Sequence, residues 1–117
     1  MLYSLILAST ILANVVSVPA VEVPIDNIRI ALEKLSFCES SHRPKISRID
    51  TNGLKSFGRF QYQQWIWDWY KDYYGLYDYE ITNDEHQWDL TQRILEDKQG
   101  EKLWRVCFKK YQLNNYL

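Results

Sequence analysis

Cys38-Glu39-Ser40-Ser41 closes one apolar helical pattern, and Ser56-Phe57-Gly58-Arg59-Phe60-Gln61 leads into an aromatic one. These two segments, with the polar stretch between them, decide the fold. Upstream, Ile28, Ala31 or Leu32, and Leu35 recur at helical spacing and mark a buried face. Glu39 follows Leu35 by four residues, so it falls near the edge of that face. A carboxyl group placed there is partly desolvated. Desolvation raises its pKa and lets it donate a proton near neutral pH.

Toward the N-terminus, residues 1–20 carry no charged side chain and many aliphatic ones, ending in Val18-Pro19-Ala20. This reads as a secretory signal cleaved after Ala20, although no Lys or Arg precedes the apolar run. The competing reading is an uncleaved anchor, since the stretch is just long enough to span a bilayer. Either way the remainder, 21–117, is expected as one small extracytoplasmic domain. No other membrane contact is expected, and the domain is expected to be a monomer. The net charge is −1 with no basic block, which leaves nucleic-acid binding without an electrostatic footprint. Two cysteines, Cys38 and Cys107, favour a disulfide in an exported chain. Two Cys and two distant His do not make a zinc site, so no metal or other cofactor is expected. Oxidation also removes Cys38 as a nucleophile for the nearby His42.

The expected class is mainly α with a small β element. Asp26 is positioned to cap a helix running to about Cys38. Pro44 stops helix, residues 45–50 alternate at period two, and Thr51-Asn52-Gly53 signals a turn. Residues 54–57 return as a second strand, giving a short hairpin or irregular lobe. Residues 60–74 contain no breaker and end at Gly75, which predicts a helix. Its Trp65, Trp67, Trp69 and Tyr70 are too many for one stripe, so some must face a groove or a second element. Thr82-Asn83-Asp84-Glu85 reads as a capping box with Thr at the cap. The helix it opens carries Trp88, Thr91, Ile94 and Leu95 on one side and ends at Gln99-Gly100. A last helix is predicted from Glu101 to about Leu113, with Cys107 on its inward face, where it can meet Cys38.

Glu39 is the candidate catalytic acid. Breaking a glycosidic bond requires a proton on the leaving oxygen, and a carboxylic acid of raised pKa supplies it. Asp50 is the candidate second carboxylate, though Asp before Thr-Asn-Gly is also ordinary turn chemistry. Without a second acid, the sugar's own hydroxyl can complete the reaction, with Glu39 acting first as acid and then as base. Gln61 offers an amide suited to an acetamido group, and Gly58 permits close backbone approach. Phe60, Tyr62 and Trp65 are candidate groove residues, with a core position the competing reading for the aromatics. Asp84, Glu85, Asp89, Glu96 and Asp97 look like solvated helix faces.

In this order the pieces resemble the catalytic domain of the resuscitation-promoting factors, a transglycosylase-like family within the lysozyme-like superfamily. Cys38-Glu39-Ser40 resembles the family's Cys-Glu-Ser, and residues 49–53 occupy the place of its Asn/Gly-containing hairpin. Gly58-Arg59-Phe60-Gln61-Tyr62 resembles its Gly-Gly-Leu-Gln-Phe, followed by Trp65. Gln92 to Leu95 fall within its second helical pattern. Gln99-Gly100, Trp104 and Cys107 resemble its closing residues. The likeness spans residues 28–108. It implies a small lysozyme-like fold, Glu39 as the single acid/base, and a Cys38–Cys107 bridge. The implied substrate is the β-1,4 link between N-acetylmuramic acid and N-acetylglucosamine in peptidoglycan. Two departures stand out: Ser41-His42 replace the family's Gly-Gly, and Arg59 replaces a glycine. The wider lytic transglycosylases share the Glu-Ser and Gly-x-x-Gln pattern. The expectation is therefore a secreted peptidoglycan-cleaving glycosidase. A non-catalytic glycan-binding module on the same scaffold is the alternative, motivated by His42 and Arg59 in the presumed cleft.

Overall fold

The apolar stripe of Ile28, Ala31, Leu32 and Leu35 forms the fully buried face of helix α1 (Ile25–Ser40) in a computed structural model that describes residues 24–117. The expected signal or anchor at 1–20 lies outside the described residues. Asp26 does not cap α1. Pro24 is the boundary residue, its carbonyl accepting from the Asn27 and Ile28 amides, and Asp26 sits inside the first turn. The helix also runs to Ser40 rather than Cys38, which places Glu39 in its last turn.

Beyond α1 the chain makes strands β1 (Ser47–Ile49) and β2 (Lys55–Phe57), antiparallel with Arg48 opposite Ser56. This is the expected hairpin, and the Asp50 and Gly53 backbones close its turn. A third strand, β3 (Tyr62–Gln63), pairs Phe57 with Tyr62 and Ser56 with Gln63. The helix expected from residue 60 is therefore shorter. It begins only at Gln64, as α2 (Gln64–Tyr73). The cause is a reversal between two left-handed residues, Gly58 (φ 80°) and Gln61 (φ 56°), which folds the chain back onto the hairpin. No breaker lies inside 60–74, so helical periodicity alone does not reveal it.

Helix α3 (Asp84–Glu96) is capped by Asn83, whose side chain accepts from the His86 amide at 3.0 Å. Thr82 is thus displaced by one position from the cap expected of it. Thr91, Ile94 and Leu95 are buried and Trp88 is half-buried. The expected single helix over 101–113 is instead a turn, then α4 (Arg105–Tyr111), then a 3-10 turn (Leu113–Tyr116). Trp104 causes the break. Its indole is buried and donates to the Phe60 carbonyl at 2.9 Å, which holds its backbone outside the helical range. Helices α3, α4 and the C-terminal turn all pack on α1, and the sheet stands beside them with α2.

One buried amide ties sheet to bundle. Gln87 of α3 accepts from the Phe60 amide (3.1 Å) and donates to the carbonyls of Phe57 (2.9 Å) and Ile81 (2.7 Å). It also fills the space beside Gly58, where a Cβ would come within 2.3 Å of its Nε2. Replacing Gln87 by Leu keeps the volume but strands three backbone groups away from water. A loss of about 2–4 kcal/mol is expected, read as a lower urea midpoint at unchanged slope.

Candidate active site

Glu39 opens onto a cleft of about 360 Å³. The sheet and its turn supply Arg48, Asp50, Asn52, Ser56, Tyr62 and Gln63, and Gln61, Trp65, Ile66, Leu103 and the buried Trp104 complete the lining. The last turn of α1 brings Glu39 to this cleft because the disulfide Cys38–Cys107 joins the residue beside it to α4, with 5.9 Å between the Cα atoms.

The Glu39 carboxyl is pushed up from 4.5 to about 7. Burial is the main cause. The Arg48 guanidinium opposes it, and the negative charge of Asp50 adds to it. The C-terminal end of a helix also disfavours a carboxylate. Glu39 Oε2 lies 3.0 Å from Cys107 Sγ. A disulfide sulfur carries no proton, so a hydrogen bond here runs from the protonated carboxyl to sulfur, which again favours the neutral acid. Arg48 itself donates to the Glu39 backbone carbonyl and so holds the hairpin against the end of α1.

Asp50 is held by its neighbours on the sheet. Its Oδ2 accepts from Ser56 Oγ and from Gln63 Nε2, the latter at 2.6 Å. Gln63 also exchanges hydrogen bonds with the Asn52 amide (3.1 and 3.2 Å) and accepts from the Trp65 indole at 2.9 Å. Four polar side chains thus set the angle of one exposed aromatic ring. Gln61 donates through Nε2 to the carbonyls of Gly58 (2.8 Å) and Ile46 (3.4 Å), which leaves Oε1 as the group available to a ligand.

Of the residues singled out in the sequence, Glu39, Asp50, Gln61, Tyr62 and Trp65 line this cleft together. Tyr62 contributes ring surface only. Its hydroxyl donates to Thr91 Oγ1 (2.7 Å), which in turn donates to the Gln87 carbonyl, and burial drives its pKa upward. Phe60 is not in the cleft but in the core, between the rings of Trp88 and Trp104. Gly58 lies behind the cleft, against Gln87.

Nor do His42 and Arg59 enter the cleft. Arg59 pairs with Asp84 through two contacts of 2.9 Å, so Asp84 is not simply a solvated helix-face acid. His42 shares a hydrogen bond with Ser36. Ser41 and His42 both take left-handed φ values, 55° and 63°, while their amides bond back to Phe37 and Ser36 to end α1. Glycines fit such a site without strain, and here a Ser and a His occupy it.

The sequence reading missed Arg48, Asn52, Ser56 and Gln63 as cleft residues. Asn52 had read only as a turn former, and Gln63 only as a helical position. Among the described residues no group of three His, Cys, Asp or Glu is placed to hold a metal, and no helix is long and apolar enough to cross a membrane. Compared with family models, curated proteins and solved structures, the chain matches none.

Proposed function

We propose that this protein is a secreted peptidoglycan-cleaving glycosidase acting on the β-1,4 bond between N-acetylmuramic acid and N-acetylglucosamine. The observation that carries the reading is Glu39, a carboxyl group with a pKa of about 7 on a cleft walled by amides, a fixed carboxylate and an aromatic ring. A disulfide is the linkage expected of an extracytoplasmic domain.

In the first step Glu39 gives its proton to the glycosidic oxygen as the C1–O bond breaks and positive charge develops at C1. Asp50, whose Oδ2 accepts from Ser56 and Gln63, is the second carboxylate of the cleft and the group set to stabilise that charge. In the second step Glu39, now a carboxylate, takes a proton from the attacking hydroxyl. If that hydroxyl belongs to the same muramic residue, the product ends in a 1,6-anhydro ring. If it is water, the product has a reducing end. Ser56 and Gln63 hold Asp50 through Oδ2, which leaves Oδ1 for the substrate.

The test is incubation with purified sacculi and mass spectrometry of the soluble products. Muropeptides with either kind of end support the reading. Protein retained on sacculi with no soluble product favours a module that holds the strand without cutting it.

A pH dependence follows from the acid itself. The first step needs the protonated form, so the rate holds below the pKa of about 7 and falls by about tenfold per pH unit above it. A rate unchanged between pH 6 and 9 would remove Glu39 from the first step.

A further inference from the structure

Helix α2 separates its aromatic residues into two sets. Trp67 and Tyr70 are buried, whereas Trp65, Trp69 and Tyr73 are 62, 57 and 62% exposed. The exposed three are spaced i, i+4, i+8, so they share one side of the helix, with about 6 Å of rise per step and about 12 Å in all. Trp69 and Tyr73 stack with ring planes 9° apart and centroids 5.3 Å apart. Trp65 belongs to the cleft that holds Glu39 and also to the depression beyond it, formed with Leu54 and Phe57. The outer aromatic row therefore starts at the mouth of the cleft and leads away from it.

We infer that this row is a second binding surface for the same glycan strand, outside the cleft, which holds the stretch of polymer that has left the catalytic acid. The inference rests on the proposed glycosidase reading. A flat ring covers the CH face of a pyranose while leaving the sugar hydroxyls in water, and Trp69 and Tyr73, stacked on each other, each keep the outer face for such a contact. One edge of the row is polar: Gln64 donates to Asp68 at 3.0 Å, and Lys71 pairs with Asp72 at 3.1 Å. Helix α2 thus carries two acids against one lysine that is already paired, which disfavours an anionic bilayer. The row has no aliphatic member, unlike a surface built to dock an apolar helix. Continuity through Trp65 selects the glycan strand as its occupant.

The experiment uses Glu39→Gln protein, so that cleavage does not consume the polymer. Co-sedimentation with purified sacculi is compared with calorimetric binding of the soluble dimer of N-acetylglucosamine. Adding Trp69→Ala and Tyr73→Ala should weaken sacculus binding about tenfold, since two ring faces no longer leave water. Affinity for the dimer, which is short enough for the cleft of about 360 Å³, should stay within twofold. Trp69→Phe with Tyr73→Phe, which keeps both rings, should restore sacculus binding. Equal sedimentation with and without the two alanines overturns the inference, as does an equal loss of dimer affinity. Sedimentation with phosphatidylglycerol vesicles that the alanines abolish assigns the row to a membrane instead and also overturns it. Muropeptide release by the parent is scored separately. If release persists while the alanines change nothing, the second surface is wrong and the cleft reading stands. If Glu39→Gln protein fails to sediment with sacculi, the second surface is wrong, and the cleft reading falls with it only when the parent also releases no muropeptides.

Discussion

Glu39→Gln should reduce muropeptide release from sacculi by about 10³-fold or more, the scale on which a single general acid contributes to glycosidic cleavage. The amide keeps the shape and can still hydrogen bond, but it has no proton to transfer and cannot later serve as base. Both chemical steps lose their agent at once. The variant should nevertheless be no less stable than the parent. In the folded protein Glu39 holds its proton to a pKa of about 7, against 4.5 for an ordinary glutamate. Between those two values the unfolded chain releases a proton that the folded chain keeps, so the parent loses stability as pH rises through that interval and levels off above 7. Gln has no such dependence. The two melting temperatures should therefore lie close together near pH 4 and diverge in favour of the variant above pH 7. The full linkage amounts to up to about 3 kcal/mol. This signature separates lost chemistry from lost folding. A variant that is inactive and melts well below the parent at pH 8 would mean that Glu39 supports the fold and need not be the acid.

The contrast between Glu39 and Gln63 shows what local pattern can and cannot reveal. Glu39 is legible because α1 is amphipathic. Four buried positions at helical spacing set a register, and the register places the acid at the margin of the buried face. Cys38 and Cys107 are legible because only one pairing exists. The hairpin is legible from Thr51-Asn52-Gly53, where turn chemistry is local. Gln63 is different. It belongs to a two-residue strand, too short to have a period, and its partner Ser56 lies across a reversal fixed by the backbone at Gly58 and Gln61. Once that reversal is made, Gln63 faces Asp50 and Trp65, and the cleft acquires its polar wall.

Phe60 illustrates a second limit. An aromatic residue suits a groove and a core equally by composition. What seats Phe60 in the core is a set of partners far along the chain: Gln87 on its amide, Trp104 on its carbonyl and Trp88 against its ring. The Arg59–Asp84 pair is the same kind of fact, since 25 residues separate its members. It also bears on function, because a guanidinium expected to crowd the cleft is held elsewhere.

Breaking the Cys38–Cys107 bridge should have the largest effect on stability. The loop it closes spans 69 residues of a small domain, and the chain-entropy account assigns such a crosslink about 4 kcal/mol. For a domain of this size that corresponds to a melting temperature lower by roughly 15–30 °C, either on reduction or in the Cys38→Ser, Cys107→Ser double variant. Activity should fall even where the reduced protein remains folded. The bridge sits beside Glu39 in sequence, and Cys107 Sγ touches the Glu39 carboxyl in space. Opening it frees the end of α1 from α4 and admits water to the acid. Glu39 then drifts toward an ordinary carboxylate pKa, and the alkaline limb of the pH–rate profile moves to lower pH. If reduction only destabilised the protein, activity would fall with temperature but the profile would keep its shape. The decisive measurement is thus the pH profile of reduced, thiol-capped protein at a temperature well below its melting point. A profile superimposable on that of the oxidised protein would confine the disulfide to holding the chain together. A profile shifted to lower pH would make the crosslink part of what keeps the proton on Glu39.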